Sequence, residues 1–116
     1  MAVATEIRLR KAERVLEVAF DDGSRFAYPA EFLRVESPSA EVQGHGPEGR
    51  HTVPGKRHVK ISALEPVGHY AVRIIFDDMH DTGLYTWTYL RELGEERDEK
   101  WSAYLEELAV QGLKRE

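Results

Sequence analysis

The sequence predicts an α+β domain: a mostly antiparallel sheet from two echoing strand–turn–strand–helix units, closed by a C-terminal helix. Three observations predict it. Short runs alternate apolar and polar residues, the signature of half-buried strands. An internal echo recurs after 56 residues: Phe20-Asp21-Asp22, Tyr28 and Phe32-Leu33-Arg34 return as Phe76-Asp77-Asp78, Tyr85 and Tyr89-Leu90-Arg91. Trp101, Tyr104, Leu105, Leu108 and Ala109 fall on one face of a helix.

The elements follow in order. Glu6–Arg10 alternates and reads as a strand. Val15–Phe20 puts Leu16, Val18 and Phe20 on one face. Asp21-Asp22-Gly23-Ser24 is a turn, because Gly tolerates positive φ and Asp bonds its own backbone. Arg25–Tyr28 returns as a strand, and Pro29 opens a helix over Ala30–Val35. Ser37-Pro38-Ser39 ends that helix or caps another turn of one. Gln43–Arg57 is the long irregular segment, rich in Gly and Pro. Val59–Leu64 is a strand, Glu65–Gly68 a turn, and His69–Phe76 a strand with Tyr70, Val72, Ile74 and Phe76 on one face. Asp77–Thr82 is a turn and Leu84–Tyr85 a short strand. Thr86 caps a helix over Trp87–Leu93, with Gly94 at its end. The last helix spans about Asp98 to Gln111 and closes at Gly112.

Six positions of the echo are identical, and the aromatic at Phe32 and Tyr89 makes a seventh in kind. Two copies cannot build a solenoid. The echo reads as two similar units packed together, and two independent hairpins with shared turn chemistry are the alternative.

The 116 residues suit one domain, with a core from about residue 6 to 112. Hydrophobic residues are 41% and charged residues 32%, a globular balance. Without cysteine the chain has no disulfide, Cys-based zinc site or Cys nucleophile. The net charge of −5 argues against general nucleic-acid binding. With no secretory h-region and no long apolar run, a cytoplasmic protein that meets no membrane is expected. The charge is uneven: Gly44–Lys60 carries +3 and the rest −8.

Several motifs resemble the gamma-butyrobetaine hydroxylase-like N-terminal domain family. They are Leu33-Arg34, Ser37 through His45, Gly55-Lys56-Arg57-His58-Val59, Pro66-Val67-Gly68 and Phe76 through Trp87. The resemblance implies a zinc site in the hydroxylases, with three cysteines after the Leu-Arg pair and a histidine from the second turn. Those positions match Ser37, Ser39 and Val42, and His80 here. Three of four ligands are replaced, so the resemblance implies a lost site. Larger relatives attach this domain to an oxygenase or to a P-loop iron–sulfur scaffold protein. No His-x-Asp or His-x-Glu of an iron triad occurs, and the length leaves no room for a catalytic barrel. No catalytic residue is expected and no enzyme.

Three clusters are candidate sites. His80 sits among Asp77, Asp78 and Asp81. These four read as a weak divalent-metal site, joined by His45, as a histidine whose pKa is raised by carboxylates, or as a turn capped by Asp. His45, His51 and His58 flank a basic loop with Arg50, Lys56, Arg57 and Lys60. That loop reads as a binding surface for a protein or small anion, or as a solvated segment. Trp87, Tyr85, Tyr89, Trp101 and Tyr104 are recognition surface or core. No cofactor is expected unless a weakly bound divalent metal. The leading reading is a non-catalytic binding or adaptor domain that takes a protein partner, linked through the family's fusions to iron–sulfur or metallo-oxygenase pathways. A metal-binding protein and a small-anion binder are the alternatives.

Overall fold

A computed structural model describes residues 2–43 and 51–116. Two three-stranded antiparallel sheets form, β1(Ala4–Arg10), β2(Val15–Phe20) and β3(Arg25–Pro29), then β4(Ile61–Val67), β5(Ala71–Phe76) and β6(Leu84–Thr86). Helix α1(Ala30–Val35) follows the first sheet and α3(Trp87–Glu95) the second. A one-turn helix, α2(Ala40–Gln43), follows α1, and α4(Arg97–Gln111) ends the fold.

The echo is a structural repeat, and it is longer than its seven positions. Each unit is three strands and a helix. The bulge between Ala4 and Glu6 returns 57 residues later between Ile61 and Ala63. The first Asp of each turn ties down the chain ahead of the leading strand. Asp21 N–H donates to the Val3 carbonyl and Asp77 N–H to the Lys60 carbonyl, both at 2.9 Å. In return Val3 N–H meets Asp21 Oδ1 and Lys60 N–H meets Asp77 Oδ1. The second Asp caps the turn itself, Asp22 accepting from Ser24 N–H and Asp78 from His80 N–H.

The strands' inward faces share one core. Leu16, Val18, Phe20 and Tyr28 from one sheet join Val72, Ile74, Phe76 and Tyr85 from the other, with Phe32, Leu33, Leu90 and Leu93 from the helices. Trp101 packs edge-on against Phe32, and Tyr104 is buried with Val35 and Leu108. The late aromatics at these two positions therefore serve the core.

Three boundaries differ from the sequence reading, the first at Val59 and Lys60, which precede β4 instead of opening it. Glu65, Pro66 and Val67 lie in β4, and the turn falls at Gly68-His69-Tyr70. Pro66 is tolerated there because β4 is an edge strand, so its missing N–H breaks no second ladder. Gly94 lies inside α3 rather than ending it. A Cβ there would fall 2.5 Å from Phe26 Cγ, so this glycine serves close packing of α3 on β3. The segment 51–60 is irregular yet anchored: Gly55 and Arg57 N–H donate to the carbonyls of Lys114 and Arg115, and Tyr104 Oη to that of Val53. Thr86 caps α3 as expected, its Oγ1 accepting from Tyr89 N–H at 3.0 Å.

Candidate functional site

The echo's arginines point across the pseudo-symmetry. Arg34 of the first unit reaches Asp78 of the second turn, Nε to Oδ2 at 2.8 Å. Arg91 of the second unit reaches Asp22 of the first turn at 2.7 Å. The two junctions differ in surroundings. Arg91 also pairs with Glu95 and lies over the rings of Phe20 and Phe26. Arg34 is buried, and Asp78 there accepts a second cation, Lys56 Nζ, at 2.6 Å. Among the described residues Arg34 Nη1 is buried without an acceptor.

His80 lies beside this junction, 4% exposed. Its ring nitrogens do not face the turn carboxylates. Nε2 is 2.9 Å from Ser37 Oγ and Nδ1 is 3.1 Å from Glu41 Oε2. Ser37 closes the first unit's helix and His80 sits in the second unit's turn, so this bond clasps the two together. Gly83 makes room for it, since a Cβ there would fall 2.6 Å from Ser37 Oγ. Next to it Ser39 Oγ meets Thr82 Oγ1 at 2.7 Å, and Ser39 also caps α2 by accepting from Glu41 N–H.

This electrostatic setting corrects the expectation of a raised histidine pKa. Burial, then the Arg34 charge, pushes His80 below its ordinary value, against the pull of Glu41 and Asp78. Burial pushes the Asp78 carboxyl up, but hydrogen bonds from Lys56 and Arg34 outweigh it and hold it below the usual range.

The residues at the family's zinc positions do come together in part. Ser37 and His80 are in contact, Ser39 is beside them, and Val42 is 2% exposed in the interior. They do not fit zinc. A hydroxyl and a methyl-bearing side chain replace thiolates, Ser37 Oγ already occupies the His80 nitrogen, and Arg34 and Lys56 supply positive charge nearby. Among the described residues no three His, Cys, Asp or Glu side chains are placed to hold a metal ion. Asp77 and Asp81 are exposed, Asp77 Oδ1 accepting from Lys60 N–H.

Of the basic loop, His45 and Arg50 lie outside the described residues. His51 is exposed and Lys56 is held by Asp78. Arg57 and His58 face Glu116 at 3.4 and 3.6 Å. Lys60 is exposed. The Lys56–Asp78 pair and the Lys60–Asp77 bonds bring the loop's described part against the second turn. At the tip of that turn Met79 is 90% exposed and held at φ 73, the left-handed region.

Sequence reasoning missed Arg34, Glu41 and Gly83. A signal for Arg34 was present: when a repeated Asp and a repeated Arg recur together, each can partner the other unit's copy.

The fold and this junction define a class, an α+β domain of two interlocked repeats with a polar clasp between them. The gamma-butyrobetaine hydroxylase-like N-terminal family model matches residues 7–91, and the chain belongs to that family. It is similar to two proteins solved in solution by NMR. One is 46% identical at a TM-score of 0.87, covering 100% of this chain and 91% of that one. The other is 43% identical at 0.86, covering 99% and 86%. A crystal structure of a protein of unknown function in the DUF971 family, from Acidithiobacillus ferrooxidans, is 43% identical at 0.67, covering 78% of this chain and 91% of that chain. No curated protein matches. Among the described residues no helix is long and apolar enough to cross a membrane.

Proposed function

We propose that the chain is a non-catalytic protein-interaction module that docks a partner through the second turn and the adjoining segment 51–60. One observation carries this reading: Met79 stands 90% exposed on a turn in which Asp77, Asp78 and His80 are each held by bonds. A flexible, polarisable side chain on a rigid base suits an adaptable apolar contact. Non-Gly residues adopt positive φ uncommonly, and such positions cluster where the surroundings fix them for a purpose. The family's fusions to an oxygenase or an iron–sulfur scaffold suggest partners in metal-cofactor pathways, by analogy of family alone.

The test is affinity capture with the wild type, Met79→Asp and Val110→Asp, the last at an exposed site on α4. Loss of one partner with Met79→Asp alone supports the reading. Recovery of the same partners by all three sinks it.

One observation favours a second reading, a small-anion site: the buried Arg34 Nη1, which has no acceptor among the described residues, beside Lys56. Phosphate titration followed by NMR should then shift the Lys56 and His80 signals. Unmoved signals at tens of millimolar phosphate dismiss it.

A further inference from the structure

The two units act as controls for each other, because their outward sheet faces can be compared position by position. On the first sheet Arg8 and Glu17 are cross-strand partners, flanked by Glu6 and Arg10. Shifted by the repeat, Arg8 and Glu17 become Glu65 and Arg73, again partners. The flanking charges do not return: Glu6 becomes Ala63 and Arg10 becomes Val67. Ala19 becomes Ile75, and Ala27 becomes Leu84, which is 42% exposed. The same fold thus carries a charged face on one sheet and an apolar face with one central ion pair on the other. Solvation explains the first face and not the second.

We propose that the outward face of the second sheet is the contact between two copies of this chain. The charge pattern selects a second copy as occupant. A two-fold contact must be self-complementary, residue i meeting j while j meets i. Glu65 and Arg73, with Arg73 Nη2 2.7 Å from Glu65 Oε1, meet that condition: a rotated copy sets each acid over the other copy's base. The ring of Ala63, Val67, Ile75 and Leu84 supplies apolar area, and antiparallel sheet faces pack well at about 10 Å. The face is also neutral, so it is a surface on which two chains of net charge −5 can meet with little repulsion. This inference is independent of the docking role of Met79.

Sedimentation equilibrium tests it with the wild type, Glu65→Lys and Arg73→Glu. Both side chains are about half exposed, at 50% and 45%, so each variant keeps its fold, checked by circular dichroism. The wild type should dimerise with concentration. Each variant alone presents like charges to itself and should dimerise at least about tenfold more weakly, a change of about 1.4 kcal/mol. An equimolar mixture of the two should recover dimerisation, as acid again faces base. A wild type that stays monomeric, a dimer indifferent to both variants, or a mixture no better than its components overturns the proposal.

Discussion

Tyr28 and Tyr85 are exchanged between the two units: each hydroxyl donates to the backbone carbonyl of the leucine in the other unit's Leu-Arg pair, Tyr28 to Leu90 and Tyr85 to Leu33. Both tyrosines are fully buried. Each carbonyl belongs to a helix whose partner strand lies in the opposite sheet. The crossing explains why the repeat keeps Tyr and Leu-Arg together. These positions form the seam that joins the copies.

Replacing either tyrosine by Phe removes one buried hydrogen bond across the seam. Each change should lower unfolding free energy by about 1 kcal/mol. Urea denaturation of Tyr28→Phe and Tyr85→Phe checks this, with similar losses for both as the expected outcome. A loss confined to one would show that the seam is unequal.

The crossed arginines should differ. Arg34→Met strands Asp78 in a partly buried site with Lys56 as its remaining cation, and should destabilise by about 3 kcal/mol. Arg91→Met breaks a more exposed pair with Asp22 and should change stability far less. The comparison is read from the same denaturation curves.

Gly94→Ala should destabilise despite the roughly 1 kcal/mol that alanine gains over glycine in a helix, because the methyl meets Phe26. Phe26→Leu should relieve the loss in the double variant. A thermal scan in which Gly94→Ala alone raises Tm would contradict the packing role.

Acid should weaken the fold through His80. Its folded pKa lies below the ordinary 6.5, so the unfolded chain binds the proton more readily. The stability contribution is full above about pH 6.5, and is lost as pH falls from there to the folded pKa. Asp78, also lowered, adds a second loss below the ordinary carboxylate range. Urea midpoints of wild type and His80→Asn between pH 5 and 8 check the first, and the variant should show the flatter profile.

Much of this fold was legible in the sequence, and the reasons lie in particular residues. Leu16, Val18 and Phe20, and Val72, Ile74 and Phe76, alternate because one sheet face is buried, and that periodicity is local. Trp101, Tyr104 and Leu108 are legible for the same reason in a helix. Gly94 was misread as a helix end because its cause is Phe26, 68 residues away. The turn at Gly68-His69-Tyr70 was misplaced because Pro66 usually breaks a strand, and edge position became visible only with the strand order. In the site, the partners of the His80 ring were sought in the adjacent Asp residues. The partners are Ser37 and Glu41, 43 and 39 residues away, brought near by the packing of one unit on the other.

The docking role of the second turn is the central functional claim, and a photo-crosslinking amino acid tests it most directly. Placed at position 79 in cells, it should form one dominant adduct with a partner protein, and placed at position 110 it should not. The same adducts from both positions, or none from position 79, would contradict the claim.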